Sequence, residues 1–192
     1  MTKILKYGIL EDIDTVRRIP VGRLWGVNLL ITPVTWVGPV FFFSLHFALN
    51  LLKYAPTVVD RFYQSVIFTI AVEITTIFHA FGHILSGKIV NSAMDELLIT
   101  TTRDVNLYHG DQSLVPGHVH LVRSLGGPVL NLLVAGGCIF FSRITPEGFL
   151  SDVLASLIST NLFFGIGSFV PLRSVDGEVI WREILRSNRA LW

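Results

Sequence analysis

The chain has 192 residues, of which 51% are apolar and only 15% charged, with a net charge of +1 and a mean hydropathy of +0.60. An ordinary soluble domain carries about 25% charged residues, so this balance excludes a disordered chain, a nucleic-acid binder and a typical water-soluble enzyme. The length fits one domain over residues 1–192, and the lone Cys138, inside an apolar run, excludes a disulfide framework or a thiolate zinc cluster.

The first 26 residues read as a polar segment. Glu11, Asp12, Asp14, Arg17 and Arg18 deny it a signal-peptide core. It ends on Gly22-Arg23-Leu24-Trp25-Gly26, with Trp25 suited to a membrane interface. Four runs of low charge follow, at about 27–52, 62–87, 124–142 and 153–172. A helix crosses the hydrocarbon core with about 20 apolar residues, so the pattern predicts an all-α integral membrane protein with four transmembrane helices. Between the second and third spans, Glu96-Leu97-Leu98-Ile99-Thr100-Thr101-Thr102 is apolar and β-branched, which suits a short strand. His118 and His120 alternate with Val119 and Leu121, as on one face of a strand, and with His109 they read as solvated loop residues. The tail, 173–192, carries apolar residues at 180, 181, 184 and 185, the spacing of an amphipathic helix lying on the membrane surface, with Trp181 and Trp192 at the interface.

Lys and Arg set the orientation. The amino-terminal segment, the 88–123 loop and the tail hold twelve, and the two opposite loops hold three. That asymmetry places both termini and the 88–123 loop in the cytoplasm.

Ionisable groups at membrane depth default to function. The second span has three, Glu73, His79 and His83. His79 and His83 stand at i and i+4, on one helix face, where two imidazoles reach one metal ion. Buried histidines bonded to other protein groups account for that spacing equally well. Zinc needs a third protein ligand, and Asp176, at the cytoplasmic end of the fourth span, lies at about the depth of His83; a turn aspartate before Gly177 is the plainer reading. Gly127, Pro128 and Asn131 open the third span as a helix-packing stretch. His46, alone in the first span, either makes an interhelical hydrogen bond or ligates a haem- or chlorophyll-type macrocycle.

Taken in order, His79-Ala80-Phe81-Gly82-His83, then Gly127-Pro128-Val129-Leu130-Asn131, then Pro171 with Asp176-Gly177, resemble the site-2 protease family of intramembrane zinc metalloproteases. That family carries H-E-x-x-H on one membrane helix, G-P-x-x-N on the next and N-x-x-P-x-x-P-L-D-G-G near the end of a third. The resemblance implies at most one zinc ion, on His79, His83 and Asp176. It implies as partners the lipid bilayer and either a single transmembrane-helix substrate or other membrane subunits. It also implies extended segments beside the site that pair with an unwound substrate.

Three positions depart from the family pattern. Its catalytic glutamate falls on Ala80, its asparagine on Ser168, and the second glycine of D-G-G on Glu178. A positioned acid–base group contributes about 10²–10⁴ in rate, so the chain is expected to be inactive as written. The glutamate of this motif is not a metal ligand, so zinc affinity survives its loss. Glu73 lies two turns before Ala80, about 10.5 Å, out of reach as a substitute. Ala80 marks either a natural pseudoprotease or an engineered silencing, and Ser168 favours the first. A non-catalytic structural or regulatory subunit of a larger membrane complex is the alternative function.

Overall fold

The computed structural model describes residues 15–52, 57–101, 104–173 and 175–189; the polar residues 1–14 and Trp192 lie outside them. The chain first turns back at Trp25-Gly26, where φ is 49° and 93°, the geometry of a tight two-residue hairpin. The turn joins β1 (Ile19–Leu24) to β2 (Val27–Ile31) in antiparallel register, Leu24 opposite Val27. β2 pairs in parallel with β3 (Glu96–Ile99), Leu29 opposite Leu97, and β3 pairs antiparallel with β4 (Asp104–Leu107), Ile99 opposite Asp104. The sheet order is β1-β2-β3-β4, which leaves β4 at one edge.

The expectation of an all-α chain with a first span over 27–52 is therefore corrected. Residues 27–31 are strand, and the helix behind them, α1 (Val37–Leu51), has 15 residues. At 1.5 Å per residue that is about 22 Å, short of the ~30 Å of hydrocarbon. A short apolar run does not distinguish a buried strand from a helix. What separates the two here is Pro33 and Thr35. The Thr35 hydroxyl lies 3.0 Å from the Thr32 carbonyl and 2.9 Å from that of Ile99, closing the turn against β3.

Three helices are long and apolar enough to cross a membrane, α2 (Val58–Ile89), α3 (Gly117–Ser142) and α4 (Phe149–Gly167), and they make the chain an integral membrane protein. α2 begins in a capping box. Thr57 Oγ1 accepts from the Asp60 N–H at 3.2 Å, and the Asp60 carboxylate accepts from the Thr57 N–H at 3.0 Å. α3 starts at Gly117 rather than at 124, so His118 and His120 are helical, which corrects the strand reading. His118 is exposed, while His120 Nε2 donates to the Gln112 carbonyl at 3.1 Å. Arg123 looked like the end of a loop; the helix carries it inward.

α2 is the central helix, packed against α1, α3 and α4. Its closest approach is to α3, where a Cβ on Gly82 would run into the Gly126 carbonyl, so the two backbones touch. Between α2 and α4, Thr75 Oγ1 lies 2.8 Å from Thr160 Oγ1 and accepts from Asn161 Nδ2 at 2.9 Å, a fully buried polar tie. The final helix, α5 (Asp176–Arg189), packs on α3 with Ile180 and Glu183 buried, and Trp181 Nε1 donates to the Phe169 carbonyl at 2.8 Å. This tail helix is thus docked on the bundle along one face.

Candidate metal centre

His79 and His83 share a face of α2, where it crosses α3. Their Nε2 atoms lie 3.1 Å apart. Asp176 arrives from the first turn of α5, its Oδ2 3.0 Å from His79 Nε2 and its Oδ1 3.4 Å from His83 Nε2. Gly177 makes that approach possible, because a Cβ there would strike the Val170 carbonyl at the end of α4. Three donor groups from two distant parts of the chain thereby meet within 4.8 Å.

The surroundings prepare these atoms as ligands. His83 Nδ1 donates to the Arg123 carbonyl at 2.8 Å, which fixes the tautomer that leaves Nε2 with its lone pair. The Asn131 carboxamide lies 3.1 Å from His79 Nδ1, with its Oδ1 buried and unpartnered. An amide's oxygen and nitrogen exchange places by a half-turn. With Oδ1 turned to the imidazole, Nδ1–H donates to it and His79 Nε2 is free in the same way. Burial pushes the Asp176 carboxyl up, but the charges and hydrogen bonds of His83 and His79 outweigh it and hold the group well below the usual carboxylate range. Once both rings have given up their extra proton, two imidazoles and one carboxylate form a donor set for zinc, whose bonds of ~2.0–2.1 Å set tetrahedral ligands roughly 3.3 Å apart. Space is reserved as well: a Cβ on Gly127 would sit 2.6 Å from both His79 Nε2 and His83 Nε2. The residues fit a zinc ion.

Ala80 does not line this space. It is buried in an apolar cluster with Ile84 of its own helix, Val27 of β2, Met94 and Leu97 of β3. The donor atoms open instead on a cavity of about 740 Å³. Ser168, at the end of α4, and Glu73 both line it; Pro171 and Pro128 shape the turn and helix around it. His46 does not join the site. It lies between α1 and α2, its Nδ1 3.1 Å from Ser65 Oγ and 3.0 Å from Asn50 Nδ2, with its ring stacked on Phe68, which favours the interhelical reading.

Three cavity residues were not singled out from the sequence. Asp104, half-buried at the start of β4, has its carboxyl pushed up to about 7 by burial, with the charge of Glu73 adding and that of His83 opposing. Tyr108 follows on the same strand's exit, and Arg123 stacks over its ring, 3.6 Å from the centroid. Arg123 had one visible signal, a charge at the mouth of an apolar run; Asp104 and Tyr108 had none, since only the β3–β4 pairing brings them here.

A bundle of membrane-crossing helices with a two-histidine, one-aspartate cluster on the central helix defines an integral membrane protein with a candidate metal site. No protein-family model matches the chain, and neither does any curated protein. Among solved structures it is similar to the site-2 protease from Methanocaldococcus jannaschii, with a TM-score of 0.63, 16% identity, and coverage of 89% of this chain and 73% of that one. The chain has a site-2-protease-like fold.

Proposed function

We propose that this chain is a site-2-protease-like membrane protein that holds one zinc ion on His79, His83 and Asp176 and lacks the group that would make the site a peptidase. The convergence of three prepared donor atoms within 4.8 Å carries this reading. Bound zinc would supply polarisation of a carbonyl and acidification of a water. The proton of that water needs a neighbouring carboxylate, and the motif position that would carry it is Ala80, packed among apolar side chains, at a cost of about 10²–10⁴ in rate. Glu73, about 10.5 Å along the helix from Ala80, does not stand in for it.

The packing of Ala80 among Val27, Ile84, Met94 and Leu97 supports natural loss over a silencing substitution, because a carboxylate there would enter an apolar cluster. Ser168 supports it too. A fold kept without its base suits a binding or regulatory part in a larger membrane assembly, and side chains such as Phe41, Leu133, Phe140 and Phe163 are exposed to lipid or to partner helices. Four crossings belong to the same reading. β2 and β3 share one sheet on either side of α1 and α2, which supports a return of the chain to the face it left, with α1 as a short outward pass. The Lys and Arg count then puts that face, with both termini, in the cytoplasm.

The test is metal analysis of the purified chain together with cleavage assays on transmembrane peptides. About one zinc per chain and no cleavage are expected, and Ala80→Glu is expected to stay silent. A metal-free chain would overturn the site; cleavage by the unaltered protein would overturn its inactivity.

A further inference from the structure

The cavity beside the metal cluster carries a charge that the metal does not use. Arg123 is only 5% exposed. Its Nη1 donates to Ser92 Oγ at 3.0 Å, its Nη2 donates to Gln112 Oε1 at 2.8 Å, and its guanidinium lies over the Tyr108 ring. Every one of these partners is neutral. Among the described residues, no carboxylate oxygen comes within the 4.0 Å of an ion pair with it.

A guanidinium does not shed its proton in a protein, so burial leaves it charged, and buried charges are ordinarily paired. Here two neutral acceptors and a π face hold the group in one orientation and strip its water, and leave its charge in place. Two of its five N–H donors are spent on side chains. Arg123, Gln112 and Tyr108 line the same cavity as His79, His83 and Asp176. The link is covalent as well, since the Arg123 carbonyl is the acceptor that orients His83. Asp176, the carboxylate of the cluster, is committed to the two histidines.

Beyond these the wall sets the apolar Phe42, Val72, Phe163 and Phe164 beside the carboxyl groups of Glu73, Asp104 and Glu178, which lie outside ion-pair distance of the guanidinium. At about 740 Å³ the space is in the range of a small-ligand pocket. A planar carboxylate on an apolar body fits both the fork of the guanidinium and these walls.

We propose that Arg123 anchors the free carboxylate of a short apolar peptide acid bound in this cavity, so that the ligand is a chain end and not an uninterrupted membrane helix. The proposal deepens the binding role suggested above, but it depends on the arginine and not on zinc. The two therefore fail separately.

The experiment is equilibrium binding to the detergent-solubilised full chain, using N-acetyl-leucyl-phenylalanine and its C-terminal amide. Both are titrated into chelator-treated and zinc-loaded protein. The acid is expected to bind with a Kd about tenfold or more below that of the amide in both forms. Arg123→Gln is expected to bring the acid to the level of the amide. Gln112→Glu, which supplies the guanidinium with an internal carboxylate and keeps the fold's own arginine, is expected to do the same. Equal binding of acid and amide, or no saturable binding of the acid, overturns the proposal. So does a preference that appears only with zinc and survives Gln112→Glu, because the carboxylate would then sit on the metal. Inorganic phosphate displacing the peptide acid more strongly than acetate does would replace the carboxylate with a phosphate group and overturn it as well.

Discussion

His83 Nδ1 donates its proton to the backbone carbonyl of Arg123 at 2.8 Å, and through this bond the candidate metal cluster on α2 is oriented by α3. No side-chain substitution removes a backbone acceptor, so this half of the cluster's support is protected. The other half is not. Asn131 orients His79 with a side-chain amide, and partners of this kind are worth about 10–100-fold in metal affinity. Asn131→Leu is expected to weaken zinc binding by that factor while the chain still folds, read by competition with a chromogenic chelator. Unchanged affinity would leave Asn131 as a packing residue.

Gly127→Ala tests the space itself. The added methyl would lie 2.6 Å from both Nε2 atoms, on the side the metal needs. Zinc content is expected to fall from about one per chain towards zero, with helical content by circular dichroism unchanged. Retained stoichiometry would show that the metal is held elsewhere.

Much of this site was legible early, because His79, His83 and Ala80 lie within one helical turn and a half, where spacing alone puts side chains on shared faces. Asp176 was a candidate by its depth beside His83, and the motif order favoured it over the turn reading that Asp-Gly also allows. The sheet was legible only in part: the stretch from Glu96 read as a strand, and β3 is Glu96–Ile99, whereas β2 did not show itself. Val27–Ile31 is apolar because it is covered on the sheet's inner face, and the same residues would be apolar in a span. Arg123 and Asp104 reached the cavity by way of α3's extra turns and the β3–β4 register, both long-range outcomes.

Asp104 predicts a pH dependence. Its carboxyl is raised from near 3.8 to about 7, first by burial and then by Glu73, with His83 opposing. The folded chain therefore keeps a proton that the unfolded chain releases. The stability from this group is complete below about pH 4 and is lost as pH rises through 7. Chelator-treated protein is expected to melt a few degrees lower at pH 8 than at pH 5, at about 2–4 °C per kcal/mol for this size. Asp104→Asn should remove most of that difference in differential scanning calorimetry; an unchanged slope would assign it to other groups.

The tie between α2 and α4 gives a stability prediction remote from the metal. Thr75 is in hydrogen-bonding contact with both Thr160 and Asn161 in a fully buried position. Interhelical bonds of this kind average about 0.6 kcal/mol and reach about 1.7. Thr75→Val keeps the shape and leaves Asn161 Nδ2 with the Leu157 carbonyl as its acceptor, so a loss between these values is expected in detergent unfolding titrations, with zinc content unaltered. A neutral result would mean that Asn161 finds another acceptor.

The parallel pairing of Leu29 with Leu97 also constrains how the molecule is made. β2 leaves the ribosome before both apolar helices that separate it from β3, and its parallel partner is made only after α2. Until then its edge is open, with Val27 and Leu30 uncovered, a short apolar strand waiting at the membrane face. Sheet closure is thus a late event in biogenesis that records whether the preceding helices were inserted the right way round. A helix left out of the membrane would leave that strand without its mate and exposed to aggregation.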